Sequence, residues 1–299
     1  MHHPKCFSYQ AALRSGQERH QQPKTETMMR NYRKTIGALA AASALVAGYA
    51  SAEVEGELHI GYSSDYIFRG SDQGDGLAEA GADVSTQYAG LTFSGGLWYG
   101  SIENSDLFNF GPIGIPDHYS ELDVYGEVSK DFGFATAYVG AIWYHYADND
   151  IATPFGDIKL RDDSSELYFG LSREIYWGIN GSLTYYWALE GENGGYTELA
   201  LDKTFKLHDC VDLVAGVKTG YFIEESGFAH ITPQLTLNVK VTDTFTVSPY
   251  VAYSIEGDEL ATVYGNNKIQ AVANALSGGN FPPSETNHFY GGVKLSVKF

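Results

Sequence analysis

The stretch AEAGADVSTQYAGLTFSGGLWYGS, residues 78–101, alternates apolar and polar side chains and is broken by an Ala-Gly pair at residues 89–90. In its first half, Ala80, Ala82 and Val84 alternate with Gly81 and Asp83. A period of two puts successive side chains on opposite faces of a β-strand. The stretch therefore predicts two antiparallel strands joined by a tight turn, with a different environment on each face.

The same alternation recurs along the chain in about 12 segments. Most are longer than the roughly 5–6 residues of an average strand in a soluble domain, and they suit the about 9–11 tilted residues that cross a bilayer. Segment length therefore favours membrane-spanning strands. The predicted spans are 55–69, 77–88, 91–100, 120–130, 133–146, 164–174, 178–189, 195–206, 211–223, 228–241, 245–256 and 286–299.

Short and long connections alternate between these segments. Tight turns are predicted near residues 89–90, 131–132, 176–177, 208–209 and 242–243, and longer links at 70–76, 101–119, 147–163, 190–194, 224–227 and 257–285. A sandwich with Greek-key crossings has no reason to alternate in this way, whereas an up-and-down barrel must. The sequence predicts an all-β fold, a transmembrane antiparallel barrel of about 12 strands with both ends in the periplasm.

Aromatic residues concentrate at the two ends of the predicted strands. Two aromatic bands separated by aliphatic residues are typical of the two water–lipid interfaces of a membrane barrel. The general preference of aromatics for strands explains their abundance but not this placement. Near the short turns stand Tyr88, Phe134, Tyr176, Trp177, Phe205, Phe245 and Phe299, and near the longer links Tyr66, Phe68, Tyr99, Tyr144, Tyr146, Trp187, Tyr221 and Tyr253.

The first strand has a chemically divided pattern. Most of its even positions are apolar and are expected to face lipid, whereas several of its odd positions are charged or polar and are expected to face the interior. The apolar set is Leu58, Ile60, Tyr62, Tyr66 and Phe68, and the interior set is Glu57, His59, Asp65 and Arg69.

A basic start, a short apolar run and an Ala-Ser-Ala end over residues 28–52 predict a secretory signal peptide. Residues 1–27 are then expected to be a non-native extension ahead of the true start, a cytoplasmic extension being the alternative. The barrel domain is predicted over residues 53–299. The chain has a formal net charge of −18, which argues against nucleic acid as a partner.

The segment SDYIFRG, residues 64–70, with VSTQYAGLTFSGGLWYGS at residues 84–101, resembles the start of TorF-type porins, a family of Gram-negative outer-membrane proteins. This chain has Ser71-Asp72-Gln73 where the family usually has an aliphatic residue followed by Ser-Gln. The resemblance implies a porin-like barrel without an established substrate. The motif positions that match are Ser64, Asp65, Tyr66, Phe68, Arg69 and Gly70.

The chain ends in FYGGVKLSVKF, residues 289–299, a segment that alternates and finishes on an aromatic residue. A last strand ending in Phe299 resembles the signal read by the outer-membrane assembly machinery. We therefore expect that machinery to be a partner of the chain, with Phe299 as the assembly signal.

Side chains on the face opposite the apolar one are predicted to line the lumen. Because acids outnumber bases among them, a pore with these walls is expected to prefer cations. Arg69 is expected to pair with Glu79 or Asp65 near the mouth, a role in constricting the pore being the alternative. The predicted lumen-lining residues are Glu57, His59, Asp65, Arg69, Glu79, Asp83, Glu121, Asp123, Glu127, His145, Glu166, Glu198, Asp202, Lys218, Lys240 and Lys294.

The sequence carries no established catalytic motif, neither a G-x-S-x-G elbow nor H-E-x-x-H nor a phosphate-binding loop. His59, His145, His230 and His288 all have the interior phase, but they belong to four different strands, so polar filling of the lumen is a better interpretation than a metal site. We expect no catalytic residue, no metal and no cofactor.

These patterns predict an outer-membrane porin-like channel for passive diffusion of small solutes. Lipid and lipopolysaccharide are the expected surroundings, and the long loop 257–285 is expected to narrow the pore or cover a rim. A plugged structural or adhesive barrel that acts through its loops is one alternative, and an outer-membrane enzyme is another.

Overall fold

The structure is a computed structural model that describes residues 54–103, 118–148, 150–153, 156–159, 161–190, 194–257 and 287–299. The predicted extension, the predicted signal peptide and all but the first residue of the long loop 257–285 lie outside these ranges.

Fourteen strands occur within the described ranges. No helix in those ranges is long and apolar enough to cross a membrane. The strands are β1 Val54–Phe68, β2 Ser71–Tyr88, β3 Leu91–Glu103, β4 His118–Asp131, β5 Thr136–Ala147, β6 Asp150–Thr153, β7 Gly156–Lys159, β8 Ser164–Tyr176, β9 Ile179–Ala188, β10 Gly195–His208, β11 Val211–Phe222, β12 Gly227–Lys240, β13 Phe245–Glu256 and β14 Asn287–Lys298.

All of these strands except β6 and β7 form one closed antiparallel barrel. β1 closes the sheet against β14, with Glu57 opposite Lys298 and Ser63 opposite Gly292. β5 pairs directly with β8, and β6 and β7 form a separate two-stranded sheet in the link between them. Because closure leaves no free sheet edge, the backbone groups of the wall are paired internally. The predicted 12-stranded up-and-down barrel is confirmed.

Two of the short turns share one backbone geometry. Ala89 and Gly90 have φ angles of 53° and 75°, and Trp177 and Gly178 have φ angles of 53° and 71°. Two consecutive left-handed residues form the type I′ turn, whose twist matches that of the flanking strands. The second turn lies one residue later than predicted.

The outer face of the barrel is apolar and has an aromatic band at each end. Trp177 at the short-turn end is 75% exposed and Ile60 in the middle of β1 is 54% exposed, as expected of side chains that face lipid rather than a core. Exposed aromatics at the short-turn end are Tyr88, Phe132, Phe134, Tyr176, Trp177, Phe205 and Phe299, and those towards the other end include Tyr99, Trp143, Trp187, Tyr221, Tyr253 and Phe289.

Side chains alternate regularly between the two faces. Over the regularly paired parts of the strands, the odd residues of β1, β2 and β4 and the even residues of β3, β5 and β8–β14 point inwards, as the strand registers and inner-face contacts require. The rule does not extend past the register shifts near the strand ends, where even residues such as Tyr176 and Phe228 are exposed on the outside. Buried apolar residues form two clusters inside the long-loop half of the barrel. One contains Tyr196, Phe222 and Ala229, and the other contains Leu77, Ile102 and Tyr119.

Candidate functional site

The tip of the first hairpin, residues 66–76, folds into the mouth of the barrel, and we call it the mouth hairpin. β2 begins at Ser71, so the predicted link 70–76 is strand and the turn is only Arg69-Gly70. Both turn residues are left-handed, with φ angles of 50° and 89°. A register shift between Asp75 and Leu77 marks where β2 departs from regular pairing with β3. Such bulges bend a strand locally, which lets the tip leave the wall.

Arg69 anchors the mouth hairpin to the wall strand β8. Its Nη1 donates to Glu166 Oε1 at 2.8 Å and its Nη2 donates to Glu166 Oε2 at 2.6 Å. The two side chains are only 9% and 11% exposed. The expected pairing of Arg69 with Glu79 or Asp65 is therefore wrong, because the hairpin tip crosses to β8 instead of standing beside its own strands.

Aromatic rings surround the Arg69 guanidinium. Its Cζ lies 4.4 Å from the ring centre of Tyr196, 4.6 Å from that of Tyr186 and 4.8 Å from that of Phe68. The Tyr144 hydroxyl donates to Glu166 Oε2 at 3.0 Å. Planar guanidinium groups suit this combination of bidentate pairing and ring stacking. We call Arg69, Glu166 and these four rings the latch.

A second arginine holds the far side of the mouth hairpin. Arg161, just before β8, donates from Nη2 to the Gln73 carbonyl at 3.2 Å. The Tyr119 hydroxyl donates to the same carbonyl at 3.1 Å, and the Arg161 guanidinium lies 3.9 Å from the Tyr119 ring centre. Sequence reasoning missed Arg161, because it lies in a link outside the alternating pattern.

The mouth hairpin also contacts the wall beyond the latch. Gly70 packs against His230 of β12 so closely that a β-carbon would have no room. Asp72 Oδ2 lies 3.9 Å from His288 Nδ1 on β14, and His288 Nε2 lies 3.6 Å from Glu256 Oε1 on β13. With the latch and the Arg161 contacts, the hairpin tip therefore touches β4, β5, β8, β9, β10, β12 and β14. It lies across the mouth at the long-loop end of the barrel.

The sequence motif SDYIFRG thus supplies a mouth element and not a stretch of outer wall. Tyr66 packs on Trp98 with ring centres 5.7 Å apart, and Phe68 meets Tyr144 edge-on at 6.1 Å. Both were expected to face lipid, as were Tyr144 and Tyr146, and these expectations are wrong. The physical reason is that the hairpin tip brings its own apolar rings inside, where they pack on the tyrosines of β4 and β5.

Ser64 and Asp65 lie at the base of the mouth hairpin. The Ser64 hydroxyl donates to Asp65 Oδ2 at 2.6 Å and accepts from the Gly291 amide of β14 at 3.2 Å. These contacts fix the strand just before the point where it turns inwards.

Carboxylates dominate the inner wall from β2 to β8. Trp98 Nε1 donates to Glu79 at 2.7 Å, Tyr168 donates to Glu127 at 3.1 Å and Tyr125 donates to Asp83. Glu121 and Asp123 of β4 lie between them on the same face. Among the described inner positions of β2–β5 and β8 there is no Lys or Arg, so this wall is acidic and rich in tyrosine.

Acid–base pairs occupy the opposite wall. Lys218 Nζ lies 3.9 Å from Glu198, Lys240 Nζ lies 3.3 Å from Asp212, and Lys294 Nζ lies 3.7 Å from Glu57. The inner face therefore divides into a wall whose own charged side chains are carboxylates, which Arg69 of the mouth hairpin approaches at Glu166, and a wall that carries both acids and bases.

His145 lies on the outer face and not in the lumen, contrary to expectation. It is adjacent in β5 to Tyr144 and Tyr146, which point inwards opposite Asp123 and Glu121 of β4, so the strand phase turns His145 outwards. Its ring stacks on Trp143 at 5.4 Å.

At the outer rim, His145 Nδ1 lies 2.8 Å from Asp163 Oδ2 and Lys159 Nζ donates to Asp163 Oδ1 at 2.9 Å. Hydrogen bonds from Lys159 and His145 hold the pKa of the Asp163 carboxyl well below its ordinary value.

The other predicted lumen residues lie on the inner face or in the mouth hairpin. His59, His230 and His288 are also inner-face residues, on separate strands, and the described ranges contain no group of three or more His, Cys, Asp or Glu residues positioned to hold a metal ion. Arg69 is the predicted lumen residue that lies in the mouth hairpin, and those on the inner face are Glu57, His59, Asp65, Glu79, Asp83, Glu121, Asp123, Glu127, Glu166, Glu198, Asp202, Lys218, Lys240 and Lys294.

Two of the cavities lined by described residues lie inside the barrel. One, of about 370 Å³, lies between the mouth hairpin and the mixed wall and is lined by Arg69, Glu198 and Lys218 among others. The other, of about 330 Å³, lies towards the short-turn end and is lined by residues that include Glu57 and Glu127.

Several solved barrels are similar to this chain. The KdgM porin aligns with a TM-score of 0.44 and 8% identity over 82% of this chain and 99% of that chain. An outer-membrane channel from Pseudomonas putida F1 aligns with a TM-score of 0.46 and 9% identity over 83% of this chain and 95% of that chain. The translocator domain of the autotransporter NalP from Neisseria meningitidis aligns with a TM-score of 0.42 and 10% identity over 92% of this chain and 98% of that chain. Because these TM-scores are below 0.5 and the identities are about 10% or less, the three structures are no evidence for the solute or the activity of this chain.

One family model matches most of the chain. It is described as a bacterial protein of unknown function, Gcw_chp, and it covers residues 47–271. No curated protein matches the chain. The resemblance to TorF-type porins is not among these findings and stays a prediction.

Proposed function

We propose a transport function for this chain, which belongs to the Gcw_chp family of bacterial proteins of unknown function. The function is that of a porin-like channel for small solutes in the outer membrane of a Gram-negative cell. Its mouth hairpin closes the outer mouth in the conformation described above and must move for solutes to pass.

The exterior supports the membrane placement. The barrel strands contain 10–18 residues, enough to cross a hydrocarbon core when tilted. Exposed apolar side chains would be costly in water, and the two aromatic bands suit the two interfaces of a bilayer. Lipid and lipopolysaccharide are therefore the surroundings that fit this surface.

The acidic inner wall is the single observation that carries the proposed selectivity. Glu79, Asp83, Asp123 and Glu127 point into the barrel, as does the buried Glu121, and no described Lys or Arg occupies an inner position of β2–β5 or β8. Rings of carboxylate favour cations, and a narrow low-dielectric wall strengthens their field. The proposed channel therefore prefers cations over anions.

The mouth hairpin favours a second candidate function. If the latch never opens, the barrel is plugged, and its role is structural or adhesive through its external loops. The two functions differ in one measurable property, because a plugged barrel carries no solute-sized current.

Single-channel recording of the refolded chain in a planar bilayer tests both. Under a KCl gradient at low salt, where screening is weak, the reversal potential should indicate K⁺ over Cl⁻. Replacing Glu79, Asp83, Glu121 and Asp123 together by the matching amides should reduce that preference and preserve conductance. A wild-type preference for Cl⁻ would overturn the proposed selectivity.

A reversible crosslink tests the movement of the mouth hairpin. Asp72→Cys with His288→Cys replaces two side chains whose nearest charged atoms, Asp72 Oδ2 and His288 Nδ1, are 3.9 Å apart, so that the two shorter thiols face each other across the mouth. Oxidation should reduce the open probability and a reductant should restore it, whereas each single cysteine variant should not respond. Full conductance in the oxidised double variant would show that the hairpin need not move.

A further inference from the structure

The 370 Å³ cavity lies directly beneath the mouth hairpin. Arg69 and Gly70 form its side towards the mouth, and β10, β11 and β12 form the facing wall. Its volume is within the range of pockets that enclose small organic ligands, roughly 300–1,000 Å³. A solute held there would contact the element that closes the pore.

Neutral hydrogen-bonding groups form one wall of this cavity. Thr232, Gln234 and Thr236 are successive inner residues of β12, and all three line it. The Gln234 amide donates to the Thr236 hydroxyl at 2.9 Å. Hydroxyl and amide groups both donate and accept hydrogen bonds, so this wall fits a partner that does the same.

Charges of both signs face the same cavity. Lys218 lies 3.9 Å from Glu198, a loose pair, and the Lys218 side chain is 61% exposed. Asp202 accepts from Asn180 Nδ2 at 3.1 Å. An anion would meet two carboxylates here and a cation would meet an ammonium group, whereas an uncharged hydroxylated solute can donate to the carboxylates and accept from the lysine.

Small inner residues leave the space open. Gly216 stands opposite Asp202, and a β-carbon built there would make only ordinary contacts, 3.6 Å to the Leu201 carbonyl and 3.8 Å to Asp202 Cβ. The Tyr290 ring lines the cavity from β14 and offers an apolar surface. Aromatic surface beside a few polar groups is a usual lining for small-molecule sites.

We propose that this cavity binds a small uncharged polyhydroxylated solute, a sugar or polyol, on its way through the lumen. The assignment rests on the proposed channel function and adds to it a solute class and a place of binding. The acidic wall sets the preference among ions, and the mixed wall beneath the hairpin recognises the neutral solute.

Isothermal titration calorimetry of the full chain in detergent micelles tests the site. The probes are glucose and sucrose, compared with gluconate and glucosamine as anionic and cationic relatives of glucose and with glycine as a small zwitterion. At least one of the two sugars should bind, and each charged or zwitterionic probe should bind at least tenfold more weakly. Equal or tighter binding of any of those three would overturn the solute class.

Two cavity variants and one control locate the binding. Gly216→Met fills the space and Gln234→Leu removes hydrogen-bonding groups, so each should weaken sugar binding at least tenfold. Ser94→Met adds the same side chain in the other lumen cavity, which Ser94 lines, and should leave binding unchanged. Circular dichroism checks that each variant keeps its strand content.

The outcomes separate this inference from the channel proposal. Normal conductance without sugar binding, or sugar binding unaffected by both Gly216→Met and Gln234→Leu, overturns the site and leaves the channel. Sugar binding that depends on Gly216 and Gln234 in a barrel that never conducts supports the site and overturns the channel.

Discussion

Removing the charge of Arg69 should unlatch the mouth hairpin. In Arg69→Met the side chain keeps much of its length but loses the bidentate pair with Glu166 and the stacking on Tyr186 and Tyr196. The Glu166 carboxylate is then left buried without its cation in the closed state. In the open state water can hydrate it, so the substitution destabilises the closed state selectively.

The size of the effect follows from burial. Both side chains of the pair are about nine-tenths buried, at 9% and 11% exposure. Breaking a buried pair by removing one partner costs about 3–5 kcal/mol. Since about 1.4 kcal/mol is tenfold, the ratio of open to closed hairpin should rise by roughly 10²-fold to 4 × 10³-fold. Glu166→Gln should do less, because the Arg69 guanidinium keeps its contacts with the three rings.

Open probability in planar bilayers and hydrogen exchange of the hairpin amides at 66–76 measure this shift. Lys240→Met is the matched control, because it also removes an inner-face cation but one whose pair with Asp212 is 3.3 Å long and 56% exposed on the lysine side. Arg69→Met should raise both quantities well above the control. The double variant Arg69→Met with Glu166→Gln should recover part of the closure, since no charge is left buried.

If Arg69→Met matches Lys240→Met in open probability and in exchange, the latch does not hold the hairpin. Closure would then have to rest on the other contacts of the hairpin, such as those of Gln73 with Tyr119 and Arg161 and of Asp72 with His288. If the double variant opens as much as Arg69→Met, the buried charge of Glu166 is not what drives opening.

Three further predictions concern the wall, the last strand and the rim. Val124→Cys on the outer face of β4 should resist a water-soluble maleimide in membranes, and Asp123→Cys should react once the hairpin is unlatched; equal rates for both would contradict the assigned faces. Deleting Phe299 should lower the yield of barrel in the outer membrane by weakening assembly, and an unchanged yield at normal expression would count against that role. Asp163 should stay ionised below the ordinary aspartate pKa. Its contribution to stability is therefore fully present above that pKa and is lost as the pH falls through the depressed pKa of the folded protein. His145→Ala should raise the pKa of Asp163 in a carboxyl NMR titration, and an unchanged pKa would show that His145 is not a cause of the depression.

The barrel was predictable because its constraints are local. Alternation with a period of two assigns each wall residue to one face, and this holds for Glu79 and Asp83 of β2 as well as Ile60 and Tyr62 of β1. Short turns such as Ala89-Gly90 are equally local, since the turn geometry depends on two residues. The outer face of a membrane barrel meets lipid and the inner face meets a polar lumen along the whole strand, so the alternation in the sequence matches the alternation of environments.

The mouth hairpin was not predictable by the same reasoning. Tyr66 and Phe68 continue the apolar pattern of β1, so alternation assigns them to lipid. Their position depends on partners far away in the sequence, such as Tyr144 and Glu166, which no local pattern identifies. His145 failed for a related reason, because it alternates with tyrosines that are apolar enough for lipid yet hydrogen-bond to acids inside. A tyrosine side chain is compatible with either face of the wall, so an alternating pattern that contains tyrosines does not decide which face is the inner one.

The choice of an ion pair for the latch suits the reversible opening that we propose for the mouth hairpin. Burying Arg69 and Glu166 costs hydration, and their attraction and hydrogen bonds offset that cost, so an apolar contact of similar volume would close the mouth about as firmly. The two designs differ when the hairpin leaves. An apolar latch would expose its surface to the water of the lumen, which the hydrophobic effect opposes. A separated arginine and glutamate regain their hydration, so the open state is stabilised by the same charges that hold the closed one. Reversible closure therefore accounts for a buried charge pair at this position better than permanent plugging does.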